Sequence, residues 1–192
     1  ARGERVVRGG RFSCGICYWG ANCCRAGWVA EGPADLPEPA RDYIDAFAGP
    51  YMDAMAAWFG RLRIGAAGSE LHDAIHSRLD ADRFHVFLNA GHLIGFDEWI
   101  SSPVWANSKV RLRPGMVMQS DVIPSHPDYY STSMEDGYAL ADAALRDEIA
   151  RLSPECLARC GARRDWMRSV LNLPVGDEVL PLTNLPGAVS PF

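Results

Sequence analysis

The chain has 192 residues, 48% hydrophobic and 22% charged, with a net charge of −5. That is the make-up of one globular domain large enough to bury a substantial core. It argues against a general nucleic-acid surface, because no basic excess is available to neutralise phosphates. No apolar run approaches the roughly 20 residues of a membrane-spanning helix, and no signal-peptide layout opens the chain. The segment Ala1–Val6 lacks an initiator Met and runs almost at once into strand formers, which reads as a piece of a longer protein.

Residues 5–30 read as a β-hairpin. Arg11–Trp19 is rich in strand formers, residues 20–22 make the turn, and Cys23–Ala30 return. Residues 32–39 hold three prolines and read as a loop. A helix is predicted over 39–60, because Tyr43, Phe47, Tyr51, Met55 and Phe59 recur every four residues. Gly49-Pro50 should kink it. Ser69 is placed to cap a second helix that turns Leu71, Ile75 and Leu79 inward.

Residues 84–96 read as a strand ending in a Gly-His segment. Leu112–Gly115 reads as a turn before a strand over 116–123, and another strand follows over 131–141. Arg146–Ala150 would close a strand or begin the tail. Pro154 opens a helix to about Leu171, with Cys156, Leu157, Cys160 and Trp166 as its apolar side. Residues 172–192 read as an extended, irregular C-terminus. This order of elements predicts a single α+β domain spanning 1–192. The six cysteines do not keep the spacing of a zinc ribbon, since Cys23 and Cys24 are adjacent. They read as small buried apolar residues in a reduced, cytoplasmic protein.

Three strand-like segments each carry a polar group that is costly to bury unless it is paired or binds something. These are His92 in Gly91–Gly95, Asp121 after Leu112–Met118, and Glu135 before Asp136-Gly137. Along 116–121 the alternation puts Gln119 and Asp121 on one side. These segments, in this order and spacing, resemble the catalytic domain of the pita-bread family. That family includes methionine aminopeptidase, aminopeptidase P, prolidase and creatinase. The resemblance covers about residues 5–150, most strongly 85–145. It implies a curved antiparallel-rich sheet with helices on its outer face, truncated at the N-terminus. In that family two hairpin Asp, a His and two acidic residues bind two metal ions. Here His92, Asp121 and Glu135 match the last three.

The hairpin departs from the pattern. Gly15 stands near the first hairpin Asp and Asn22 near the second, while Trp99 occupies the position of a second family His. Two adjacent divalent ions need several anionic oxygens, and this set supplies two negative charges. The expectation is therefore no metal, or one divalent ion (Mn, Fe or Zn) held by His92, Asp121, Glu135 and Asn22. Two ions are not expected. The resemblance implies a hydrolase acting on a C–N bond of a small molecule or peptide, with His92, Asp121 and Glu135 as catalytic residues. Without metal, His92 would carry the proton, as the equivalent His does in creatinase-like members. Asp97 and Tyr130, in loops flanking the site, are expected to bind substrate. The alternatives are a dinuclear metallopeptidase of the Xaa-Pro type and a non-catalytic peptide-binding or protein-binding member. The resemblance further implies a homodimer.

Overall fold

The computed structural model describes residues 5–18, 21–86, 88–95 and 100–189. One sheet organises the domain, with every strand pair antiparallel. Strands β1 (Gly10–Tyr18) and β2 (Ala21–Val29) form the predicted hairpin. β2 starts at Ala21 and brings Asn22 into the ladder opposite Cys17, so Ala21 and Asn22 lie in the strand rather than in the turn. The remaining strands are β3 (His92–Leu93), β4 (Val117–Asp121), β5 (Ser133–Leu140) and β6 (Val179–Pro181). Their order is β1-β2-β5-β4-β3, and β6 pairs with the far end of β5. The stretch 172–192 thus contributes a sheet strand.

The helical face is built by the predicted aromatic ridge. Tyr43, Phe47, Tyr51, Met55 and Phe59 are all buried. The expected kink takes a specific form. Residues Ile44–Ala48 make a π-helical turn in which the Gly49 amide bonds Ile44 O, and α1 (Gly49–Arg61) then starts with Pro50 in its first turn. Pro50 has no N–H to give, and the first turn of a helix needs none. The ridge grips the sheet through polar tips. Tyr51 Oη accepts from Met134 N at 2.9 Å, and Tyr43 Oη donates to Ser131 O at 3.0 Å.

α2 (Gly68–His76) buries Leu71 and Ile75, and Leu79 follows them into the core. Its N-terminus is held differently from expectation: Ala67, not Ser69, is the cap position, and its amide donates to Glu70 Oε1 at 2.9 Å. The strand expected over 84–96 shrinks to His92–Leu93. Asp80 caps a short helix, α3 (Ala81–Phe84), by accepting from Arg83 N at 2.9 Å, and His85 ends it in the left-handed region at φ 46°. The segment around 146–150 is helical too. Asp142 caps α4 (Ala143–Leu152) by accepting from Leu145 N at 2.9 Å, which overturns the strand-or-tail reading. α5 (Pro154–Ser169) begins at Pro154 as predicted. The predicted turn at 112–115 closes through Met116 N to Arg113 O, with Gly115 at φ 83°.

Of the six cysteines, only Cys160 is buried. Cys14 and Cys17 are exposed, so the reading of all six as buried apolar residues fails on the hairpin. A pair that sequence spacing left unassigned holds the hairpin to the C-terminal stretch. Arg25 Nη2 lies 2.9 Å from both oxygens of buried Asp136, which also accepts from Thr183 Oγ1 (2.8 Å) and Gly187 N (2.9 Å). Removing one partner of a buried pair leaves the other charge unsatisfied. Asp136→Ala is therefore expected to lower the free energy of unfolding by about 3 kcal/mol, measured by denaturant titration. A loss under about 0.5 kcal/mol, the scale of an ordinary surface change, would contradict this.

Candidate active site

The site is set by register. Asp121 on β4 is the direct partner of Glu135 on β5, and Glu135 is the direct partner of Cys24 on β2. One row along, His92 on β3 pairs with Gln119 on β4. Directly paired residues project to one face, so His92, Gln119, Asp121, Glu135 and Cys24 share a face. Asp136, with the opposite parity, points to the other side and meets Arg25.

The structure thus brings together the three polar groups singled out from the sequence. His92, Asp121 and Glu135 are 1%, 3% and 4% exposed. Each offers one ligand atom, and these atoms lie within 4.8 Å of one another. His92 Nδ1 sits 2.8 Å from Leu93 O, and a carbonyl can only accept. The proton is therefore on Nδ1, and Nε2 faces the carboxylates, 3.7 Å from Asp121 Oδ2.

His92 is positioned by the core. Gly91 has φ 123°, and a Cβ there would come within 3.0 Å of both Gln119 O and Trp58 Cζ2. Trp58 Nε1 donates to Ala90 O at 2.6 Å. The glycine before His92 is thus required by conformation and by space.

Glu135 is the most heavily engaged group. Asn22 Nδ2 donates to its Oε2 at 2.7 Å, and Gln119 Nε2 donates to its Oε1 at 2.5 Å. Gln119 also donates to Asn22 O at 2.7 Å. Gln119 is fully buried, and its strand alternation with Asp121 was the signal for it. The resemblance places Asn22 in one ligand set with Glu135, and the structure joins the two directly across 113 residues by this hydrogen bond. Cys24 is half-buried, and its thiol is pushed above the ordinary range first by burial and next by the Glu135 carboxylate.

The hairpin positions read as weakened ligands also face the site. A Cβ on Gly15 would lie 3.6 Å from Asn22 Oδ1, so a side chain there would project toward the Asn22–Glu135 contact. Tyr130 stands apart. Its ring packs edge-on against Trp28 at 6.4 Å, with the Arg11 guanidinium 5.4 Å above it. Trp28 is six residues along β2 from Asn22, roughly 20 Å in an extended strand. Asp97 lies outside the described residues.

The donor set fits one divalent ion. Ligand atoms at roughly 2.0–2.2 Å from a common ion are at most about 4.4 Å apart, so the observed spread closes with side-chain adjustment alone. Imidazole with two carboxylates suits Mn, Fe or Zn. A second ion would need the anionic oxygens that Gly15 and Asn22 do not provide.

Solved structures share the fold of this chain. A prolidase from Pyrococcus horikoshii superposes with a TM-score of 0.54 at 18% identity, over 73% of this chain and 40% of that one. A dipeptidase from Mycobacterium ulcerans gives 0.51 at 20% identity, over 67% and 34%. A prolidase from Pyrococcus furiosus gives 0.50 at 16% identity, over 74% and 42%. The chain has the pita-bread fold. It spans less than half the length of each of these pita-bread structures. No family model matches the sequence, and no curated protein matches it. Among the described residues, no helix is long and apolar enough to cross a membrane.

The raised thiol range of Cys24 has a measurable sign. A higher pKa leaves less thiolate at neutral pH, so alkylation is slow there and accelerates as pH rises through the thiol's own range. Glu135→Gln removes the negative neighbour and is expected to speed Cys24 labelling by iodoacetamide at pH 8. Mass-spectrometric labelling rates check this, and an unchanged or slower rate in the variant would contradict it.

Proposed function

We propose that this domain belongs to a hydrolase that cleaves a C–N bond in a small amide or short peptide, with a single-ion centre where the fold more often carries two. The observation that carries the reading is the convergence of His92, Asp121 and Glu135, all buried, within 4.8 Å. Burial of two carboxylates and an imidazole is costly, and a ligand or substrate that pairs with them offsets that cost.

His92 enters through Nε2, fixed by the Nδ1 contact to Leu93 O. Asp121 faces it across 3.7 Å. Glu135 is held in place by the Asn22 and Gln119 amides, so its orientation is set before substrate arrives. A bound divalent ion would polarise the scissile carbonyl. Without an ion, the Nε2 lone pair of His92 is the group able to take and return a proton. Peptide substrates fit the likeness to a prolidase and a dipeptidase, and the active protein is proposed to be a cytoplasmic homodimer.

The amide contacts on Glu135 also favour a second reading, a non-catalytic member that binds a peptide on this face. A screen of small amides and Xaa-Pro dipeptides by mass spectrometry separates the two. Turnover that falls by about 10²–10⁴-fold in His92→Ala supports the hydrolase. No turnover, with peptide binding unchanged in His92→Ala, supports the second reading.

The number of ions has its own test. Restoring carboxylates with the double substitution Gly15→Asp and Asn22→Asp is expected to raise Mn or Zn binding from one equivalent to two, measured by calorimetric titration. Two tight equivalents in the unsubstituted chain would overturn the single-ion reading.

A further inference from the structure

β1 is the end strand of the sheet, and among the described residues nothing pairs with its outer edge. Arg11 to Cys17 are all exposed. A free strand edge presents a row of unpaired backbone donors and acceptors, and folded proteins ordinarily blunt it with Pro, Lys, a bulge or a short strand. β1 uses none of these. It runs nine residues without Pro or Lys, and its ladder steps one residue at a time from Gly10 opposite Val29 to Tyr18 opposite Ala21. The strand is also apolar on one side. Phe12, Cys14 and Ile16 alternate along the face opposite the site, and Ile16 is 76% exposed.

We propose that this edge pairs antiparallel with the same edge of a second copy, joining two sheets into one. The inference rests on the homodimer proposed above and assigns its interface. Backbone hydrogen-bonding groups alternate between the two edges of a strand, so a two-fold pairing has to centre on a residue rather than between two. Overlap of the whole strand puts that centre at Cys14, midway between Gly10 and Tyr18. The strand is self-complementary about this point. Phe12 of each copy meets Ile16 of the other, an aromatic against a β-branched side chain, which favours pairing. Arg11 is the only charge on the strand. It falls opposite Cys17, and the two Arg11 cations stand roughly 20 Å apart along the strands, so charge does not oppose the pairing. Ser13 falls opposite Gly15. Gly15 already stands opposite Cys24, and Cys24 opposite Glu135. The second copy therefore brings its Ser13 hydroxyl onto the same cross-sheet row as Glu135, beside a position that has no side chain.

Sedimentation equilibrium of the full chain tests this, together with oxidation by diamide. Directly opposed residues have Cα atoms about 4.5–5.5 Å apart, inside the range a disulfide spans. Two Cys14 thiols are oxidised to one disulfide as diamide is reduced to its hydrazine. The expected result is a concentration-dependent dimer and a Cys14–Cys14 link between chains, found by mass spectrometry. Ile16→Lys abolishes the dimer at the same concentration, its exposed position leaving the fold and the circular dichroism unchanged, while Ile16→Val keeps it. A dimer that persists in Ile16→Lys, or that yields no Cys14–Cys14 link, overturns the edge assignment and leaves the homodimer standing. A chain that stays monomeric, its edge left to a partner of another kind, overturns both.

Discussion

Two acid groups and an imidazole sit on one buried face of an antiparallel sheet, and the rest of the structure accommodates that burden. A carboxylate removed from water must be matched by donors or by a cation. Glu135 is matched by two neutral amides, Asn22 from the hairpin and Gln119 from the neighbouring strand. Asp136, the next residue, is matched by the Arg25 cation on the opposite face. Because strand side chains alternate, one dipeptide serves both faces of the sheet: Glu135 turns to the site, and Asp136 ties the hairpin to the C-terminal stretch.

The helical layer keeps this arrangement in register. The aromatic ridge along Tyr43–Phe59 fills the core, while its polar atoms fix individual backbone groups. Tyr51 reaches the amide of Met134, next to Glu135, and Trp58 reaches the carbonyl of Ala90, two residues before His92. The packed core thereby constrains two of the three site positions directly. Gly91 makes the close approach of Trp58 possible, since any larger residue would meet both the indole and the neighbouring strand.

Exchanging acids for neutral residues on the hairpin changes the chemistry the face can support. With Gly15 and Asn22 at the hairpin positions, the site offers two carboxylates, those of Asp121 and Glu135. The same exchange lets Asn22 donate to Glu135, which a carboxylate could not do. The Asn22 amide thus removes a ligand charge and also supplies the hydrogen bond that keeps Glu135 satisfied when no cation is present.

By itself the sequence determined the segments that meet and the faces they use. The four-residue spacing of aromatics dictated the buried ridge, and the two-residue alternation of Gln119 and Asp121 dictated a shared face, because both periods follow from backbone geometry alone. The Gly91–Gly95, Leu112–Met118 and Glu135–Gly137 segments were legible through their resemblance, in order and spacing, to the pita-bread pattern. Local signals misled where a short capped helix competed with a strand, as at 81–84, and where Asp142 nucleated α4. Only the tertiary structure decided what each polar group touches. Arg25 finds Asp136 across 111 residues and Asn22 finds Glu135 across 113. Such contacts are fixed by strand register across the whole sheet, and register is the sum of many weak side-chain preferences that no single stretch of sequence contains.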